Sequence, residues 1–139
     1  MKYNLSEITE VIKNRRTIYP QHYSSRVVHK EIIEHLLQNA TWAPTHGMTQ
    51  PWRFKIYTGE SRNALAESLS SLYKKLTPEG QFREDKLLKI QARPFQSSAA
   101  IVVYMKRGEN PKIPEIEEIS SVACAVQNIC LTATAYGIG

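Results

Sequence analysis

Residues 43–54 read Ala-Pro-Thr-His-Gly-Met-Thr-Gln-Pro-Trp-Arg-Phe. Pro44 and Pro51 restrict the backbone at both ends of a polar hexapeptide. Before it, Ile32, Ile33, Leu36, Leu37 and Ala40 recur at helical spacing, and Pro44 terminates that helix. After it, Trp52, Phe54 and Ile56 alternate with Arg53, Lys55 and Tyr57, the pattern of a half-buried strand that Thr58-Gly59 closes. The stretch is therefore a stiff helix-to-strand loop. Such a loop presents backbone N–H groups and side chains in a fixed geometry, which is one way to hold a flat heteroaromatic ring without a glycine-rich turn. Gln50 can donate or accept at a ring edge. His46 reads either as a ligand-facing group or as a solvated imidazole, and Trp52, in phase with Phe54 and Ile56, reads as core.

Working outward, Asn4-Leu5-Ser6-Glu7 has the form of a capping box, and Leu5, Ile8, Val11 and Ile12 follow at helical spacing. This helix runs into Asn14-Arg15-Arg16-Thr17 and is ended by Tyr19-Pro20. Residues 20–28 form a polar loop. Towards the C-terminus, Ser61 caps a third helix carrying Leu65, Leu69, Leu72 and Leu76, and Thr77-Pro78 opens a fourth that ends near Arg93-Pro94. Ala99 to Met105, AAIVVYM, reads as a central strand covered on both faces. Residues 108–114 are a loop, and a long helix spans 115–136 with Gly137 as its cap. Its small residues Ser120, Ser121, Ala123, Cys124 and Ala125 permit close approach of another helix. Five helices and two strands give an α+β class, but two strands are too few to organise five helices. Either a short third strand is hidden in the pattern, or the native protein continues beyond Gly139; the second is the preferred expectation.

The 139 residues fit one domain, residues 1–139. No apolar run reaches the roughly 18 residues needed to span a bilayer, and the N-terminus lacks the apolar stretch of a signal peptide, so a cytoplasmic location is expected and no membrane partner. Cys124 and Cys130 lie about 9 Å apart along a helix, too far for a disulfide, and read as buried, reduced thiols. Neither CxxC nor HExxH spacing occurs, so no metal site is expected; GxGxxG, P-loop and GxSxG motifs are also absent. The net charge of +5 favours an anionic partner. Without a run of five basic residues or interleaved aromatics, nucleic acid is not the expected one. Glu115, Glu117 and Glu118 read as helix-starting charges suited to the dipole. Arg15-Arg16-Thr17 can either grip a phosphate, through forked guanidinium donors and a hydroxyl, or simply place cations at a helix C-terminus.

Taken in order, Asn14-Arg15-Arg16-Thr17, the stretch Trp42 to Phe54, the Ala99–Met105 strand and the helix SSVACAVQNICLTATAYGIG make the chain resemble the nitroreductase family of flavin oxidoreductases, in particular its short single-domain members with a His before Gln-Pro-Trp. The resemblance implies a nitroreductase-like fold: a central mixed β-sheet flanked by helices, in an intertwined homodimer that holds FMN non-covalently at its interface. It implies that Arg15, Arg16 and Thr17 of one subunit contact the ribityl phosphate side, while Trp42 and His46 of the other reach the flavin. It also implies hydride transfer from NADH or NADPH through FMN to a flat small-molecule acceptor such as a nitroaromatic or quinone, in a ping-pong cycle with no catalytic side chain. Three positions depart from the family pattern. Trp42 stands where the short members often have Arg, Met48 where many have an Asn that contacts the ring, and the chain ends at the Gly137-Ile138-Gly139 cap past which members continue. The alternative implied by these departures is a non-catalytic flavin-binding or dimeric scaffold relative.

Overall fold

The computed structural model describes residues 2–139, which divide into two compact units. One comprises residues 2–19, 29–54 and 103–139, the other residues 20–28 and 55–102.

In the first unit, α1 (Leu5–Asn14) opens as its sequence predicts, with the Asn4 side chain accepting from the Ser6 and Glu7 N–H groups. It ends earlier than predicted. The backbone turns extended at Arg15, and the Arg16 guanidinium folds back onto the carbonyls of Lys13 and Arg15, satisfying groups that a longer helix would have used. Helix α2 (Lys30–Ala40) likewise stops before Pro44; the Thr41 hydroxyl donates to the Gln38 carbonyl at 2.7 Å and closes the last turn.

Both helices pack on α5 (Glu115–Ala135), the longest element. Ala40 and Ala125 are wholly buried and form a core cluster with Ala43 and Trp52, against which Phe54, Val122 and Ile129 pack. Beside this seam, Asn39 Nδ2 donates to Thr132 Oγ1 at 3.0 Å, and Asn128 Nδ2 donates to the Asn39 carbonyl at 3.1 Å. Helix α5 closes as a Schellman motif: Gly137 sits at φ +68°, its N–H reaches the Thr134 carbonyl, and Ile138 N–H reaches that of Ala133.

The strands β1 (Trp52–Thr58) and β2 (Ala99–Met105) pair as a two-stranded sheet. Lys106 N–H donates to the Pro51 carbonyl at 2.8 Å, so the end of β2 lies beside the start of β1 and the strands run antiparallel. Two sequence expectations change here. The alternation in β1 breaks: Trp52 is buried as predicted, but further along Tyr57 is buried and Ile56 exposed. Nor is β2 covered on both faces among the described residues, since Val102 and Tyr104 are exposed.

In the second unit, α3 (Ser61–Leu76) packs on α4 (Glu84–Ala92), with Leu65, Ala66, Leu87 and Pro94 buried. Ser61 is the first helical residue, and its hydroxyl bonds back to both backbone groups of Thr58. Helix α4 starts six residues later than the Thr77-Pro78 signal predicts. Thr77 spends its hydroxyl on the Tyr73 carbonyl, Gly80 reverses the chain at φ +84°, and the Tyr73 hydroxyl accepts from Arg83 N–H. The helix then opens on Asp85, whose carboxyl is held below its ordinary range by the Arg83 hydrogen bond.

The cysteines differ from expectation in position: both are free, but Cys124 is exposed and Cys130 half-buried on α5. No helix among the described residues is long and apolar enough to cross a membrane.

The α2–α5 seam leaves no room for growth. Ala125→Leu should destabilise the chain by about 1–3 kcal/mol through overpacking against Ala40 and Trp52, read as a lower urea midpoint with an unchanged slope.

Candidate functional site

The loop after α2 is tied by its own side chains. Thr45 Oγ1 accepts from Gln50 N–H at 3.0 Å and lies 3.3 Å from Thr49 Oγ1. Between them a single 3-10 turn, His46–Met48, carries the chain through left-handed backbone: Gly47 at φ +57°, Met48 at +53° and, just beyond, Gln50 at +43°. A left-handed conformation costs non-glycine residues about 1–3 kcal/mol each, so Met48 and Gln50 stay there only because neighbours hold them. A Cβ on Gly47 would lie 3.1 Å from Ile113 Cδ1, which shows how closely the segment before α5 underlies the turn.

The first turn of α5 supplies the holding groups. Glu117 Oε2 lies 2.5 Å from His46 Nδ1, within hydrogen-bonding distance. Glu118 is 1% exposed. Its Oε1 accepts from Gly108 N–H at 2.8 Å, and its Oε2 lies 2.9 Å from Arg107 Nε. Among the described residues that second oxygen makes no hydrogen bond, so the Arg107 charge alone compensates it. Arg107 also donates to the Ile113 carbonyl at 3.0 Å. A Cβ on Gly108 would meet Thr49 Cγ2 at 2.7 Å, so this glycine lets the 107–113 segment press against the loop. The reading of Glu115, Glu117 and Glu118 as mere helix-starting charges is therefore corrected for two of them. The signal was in the sequence: Glu118 stands in helical register with Val122, Ala125 and Ile129, the side that packs inward.

Arg15, Arg16 and Thr17 leave the end of α1. Arg15 is half-buried, while Arg16 and Thr17 are exposed. Among the described residues neither guanidinium is paired with a carboxylate; Arg16 holds only the carbonyls of Lys13 and Arg15. Their position along α5 follows from two contacts. Ile8, Val11 and Ile12 share a groove of about 500 Å³ with Leu131, Thr132 and Ala135, and Ile18 touches Gly139 closely enough that a Cβ there would lie 2.7 Å from it. The arginines thus sit by the C-terminal end of α5 and His46 by its N-terminal end. A helix of 21 residues is about 30 Å long. Within one chain the structure does not bring the arginine set and His46 together. Trp42 is 79% exposed and lines a shallow groove with Asn39, Asn128, Leu131 and Thr132.

A model described as the nitroreductase family matches residues 12–139. This chain belongs to the nitroreductase family. It is 27% identical over 135 residues to YfhC of Bacillus subtilis, covering 96% of this chain and 67% of YfhC. It is 30% identical over 109 residues to YdjA of Escherichia coli K12, covering 78% of this chain and 57% of YdjA. Both relatives are provisionally named NAD(P)H nitroreductases. The nitroreductase-like family protein from Bacillus cereus superimposes with a TM-score of 0.76 at 30% identity, over 99% of this chain and 68% of that one. The FMN-dependent nitroreductase NfnB from Mycobacterium smegmatis, solved with NADPH, shares the fold with a TM-score of 0.69 at 20% identity, over 96% of this chain and 73% of that one. The α+β nitroreductase fold expected from the sequence is thus the observed one, except that the sheet among the described residues is a two-stranded antiparallel pair and not the mixed sheet the resemblance implied.

The Glu118–Arg107 pair gives a direct test of how the loop is held. Arg107→Ala strands a buried carboxylate and should cost about 2–4 kcal/mol. Arg107→Ala with Glu118→Gln should recover part of that loss, measured by chemical denaturation.

Proposed function

We propose that the chain supplies one protomer's share of an FMN-dependent oxidoreductase site, working as a homodimer on hydride from NADH or NADPH and a flat acceptor such as a nitroaromatic or quinone. The observation that carries the reading is the distribution along α5, a helix about 30 Å long: paired cations by its C-terminal end and a pinned polar loop by its N-terminal end. One flavin mononucleotide does not bridge that span within a chain. Two copies whose α5 helices pair antiparallel would set the arginines of one beside the loop of its twin. The exposed Ile116, Ile119 and Val126 of α5 fit such pairing.

The residues present suit FMN by their chemistry. Neither Arg15 nor Arg16 is paired with a carboxylate among the described residues; Arg16 Nη1 serves the carbonyls of Lys13 and Arg15, which leaves its other donors, the Arg15 guanidinium and the Thr17 hydroxyl for a phosphate dianion. His46 and Trp42 of the other copy would line the ring: the imidazole is fixed by Glu117, and the exposed indole offers a stacking face. FMN, when bound, supplies the hydride chemistry. The chain's own residues bind, orient and exclude water, and none is assigned a catalytic proton transfer; a ping-pong order follows if donor and acceptor use the same ring face in turn. Charge at the phosphate is the local account of the basic balance, and a cytoplasmic setting suits this chemistry.

A second reading, a flavin-binding or dimeric scaffold without turnover, is favoured by Met48, an exposed thioether with no N–H to offer the ring.

Titration with FMN should give saturable binding and a shifted flavin absorbance band. Arg15→Ala with Arg16→Ala should raise the Kd by about 10- to 100-fold, as expected for charged hydrogen bonds to phosphate. Anaerobic NADH or NADPH should then bleach the bound flavin. Binding without bleaching selects the scaffold reading, and no binding by the unsubstituted chain sinks both.

A further inference from the structure

Glu117 and Glu118 are neighbours with different surroundings. Glu118 is buried and bound to the 107–108 segment. Glu117 is exposed, and among the described residues its carboxylate makes one hydrogen bond, to His46 Nδ1 at 2.5 Å. An ionised carboxylate only accepts, so Nδ1 carries the proton in this pair. The partner of one ring nitrogen decides the state of the other. Nε2 of His46 makes no hydrogen bond among the described residues, and the imidazole stands exposed on a turn whose backbone is held by Thr45 and underlain by Ile113. The ring is thus fixed at one nitrogen and open at the other.

We propose that Glu117 is a positioning residue for His46: its carboxylate fixes the Nδ1–H tautomer and the ring orientation, so that Nε2 is the nitrogen offered to the polar edge of the bound heteroaromatic ring. The inference rests on the FMN reading above and adds to it a residue from a different element. The device is cheap in sequence terms. It needs one carboxylate in the first turn of α5 and a turn that brings His46 over it, while Glu118, one position on, faces inward and holds the neighbouring segment. The two adjacent acids therefore divide the work: one keeps the segment in place, the other aims the imidazole.

The first test is long-range 15N–1H NMR of the imidazoles in the 139-residue chain without ligand. At a pH where His46 is neutral, the unsubstituted chain should show the Nδ1–H tautomer. Glu117→Ala should shift it towards Nε2–H, and Glu117→Gln, whose amide oxygen still accepts, should retain Nδ1–H. The second test is a double-mutant cycle on FMN affinity with Glu117→Ala and His46→Ala. Glu117→Ala should weaken FMN binding roughly threefold to tenfold in the unsubstituted background and hardly at all once His46 is gone. Glu117→Gln should restore most of the affinity. A purely structural Glu117 would instead lower affinity equally in both backgrounds. Nε2–H in the unsubstituted chain overturns the proposal, as do additive effects in the cycle. If the unsubstituted chain binds no FMN, the flavin reading and this role fall together, and the NMR result distinguishes that failure from a missing Glu117–His46 contact.

Discussion

Ala40 and Ala125 carry almost no side chain where α2 meets α5, and both are wholly buried. Larger residues there would hold the helices apart, because packed interiors have no spare volume. Their close approach lets Asn39 and Asn128 reach across the seam and fixes the register of one helix on the other. It also decides where α2 ends relative to α5, and hence where the following loop begins. Trp52 completes the same cluster from the start of β1, so both ends of the loop are anchored in one core.

The loop between those anchors carries unfavourable backbone at Met48 and Gln50. Strain of this kind persists only when the surroundings over-determine it. Here the surroundings are specific: the Thr45 hydroxyl inside the loop, Ile113 under Gly47, Gly108 against Thr49, and the carboxylates that open α5. Glu118 is a buried carboxylate paired with the partly exposed Arg107, a costly element whose second oxygen is compensated by charge alone. Its effect is to keep the 107–113 segment against the loop, which hydrophobic contacts without direction would not do.

At its other end, α5 closes on Gly137, and Gly139 meets Ile18 beside the arginines. Helix α5 therefore lies between Arg15, Arg16 and Thr17, by its C-terminal end, and His46, by its N-terminal end, which is why one chain does not bring them together.

The sequence by itself determined the five α-helices and both strands, though none of the 3-10 turns, because each has a strong local period or a local stop: Asn4 before Leu5, Gly137 after the long helix, AAIVVYM as an unbroken β-branched run. It also carried the family, through Arg15-Arg16-Thr17 and the Pro44–Pro51 loop. Boundaries that depend on side chains folding back were not legible, as at Arg16 on α1 and Thr77 before α4. Nor was the break in β1 alternation at Ile56 and Tyr57, which reflects what lies over each residue rather than strand period. Only the tertiary structure decided the roles of Glu117 and Glu118. Charge at a helix start satisfies the dipole whatever it faces, and which carboxylate turns to His46 and which to Gly108 depends on segments dozens of residues away that meet only when α2 seats on α5.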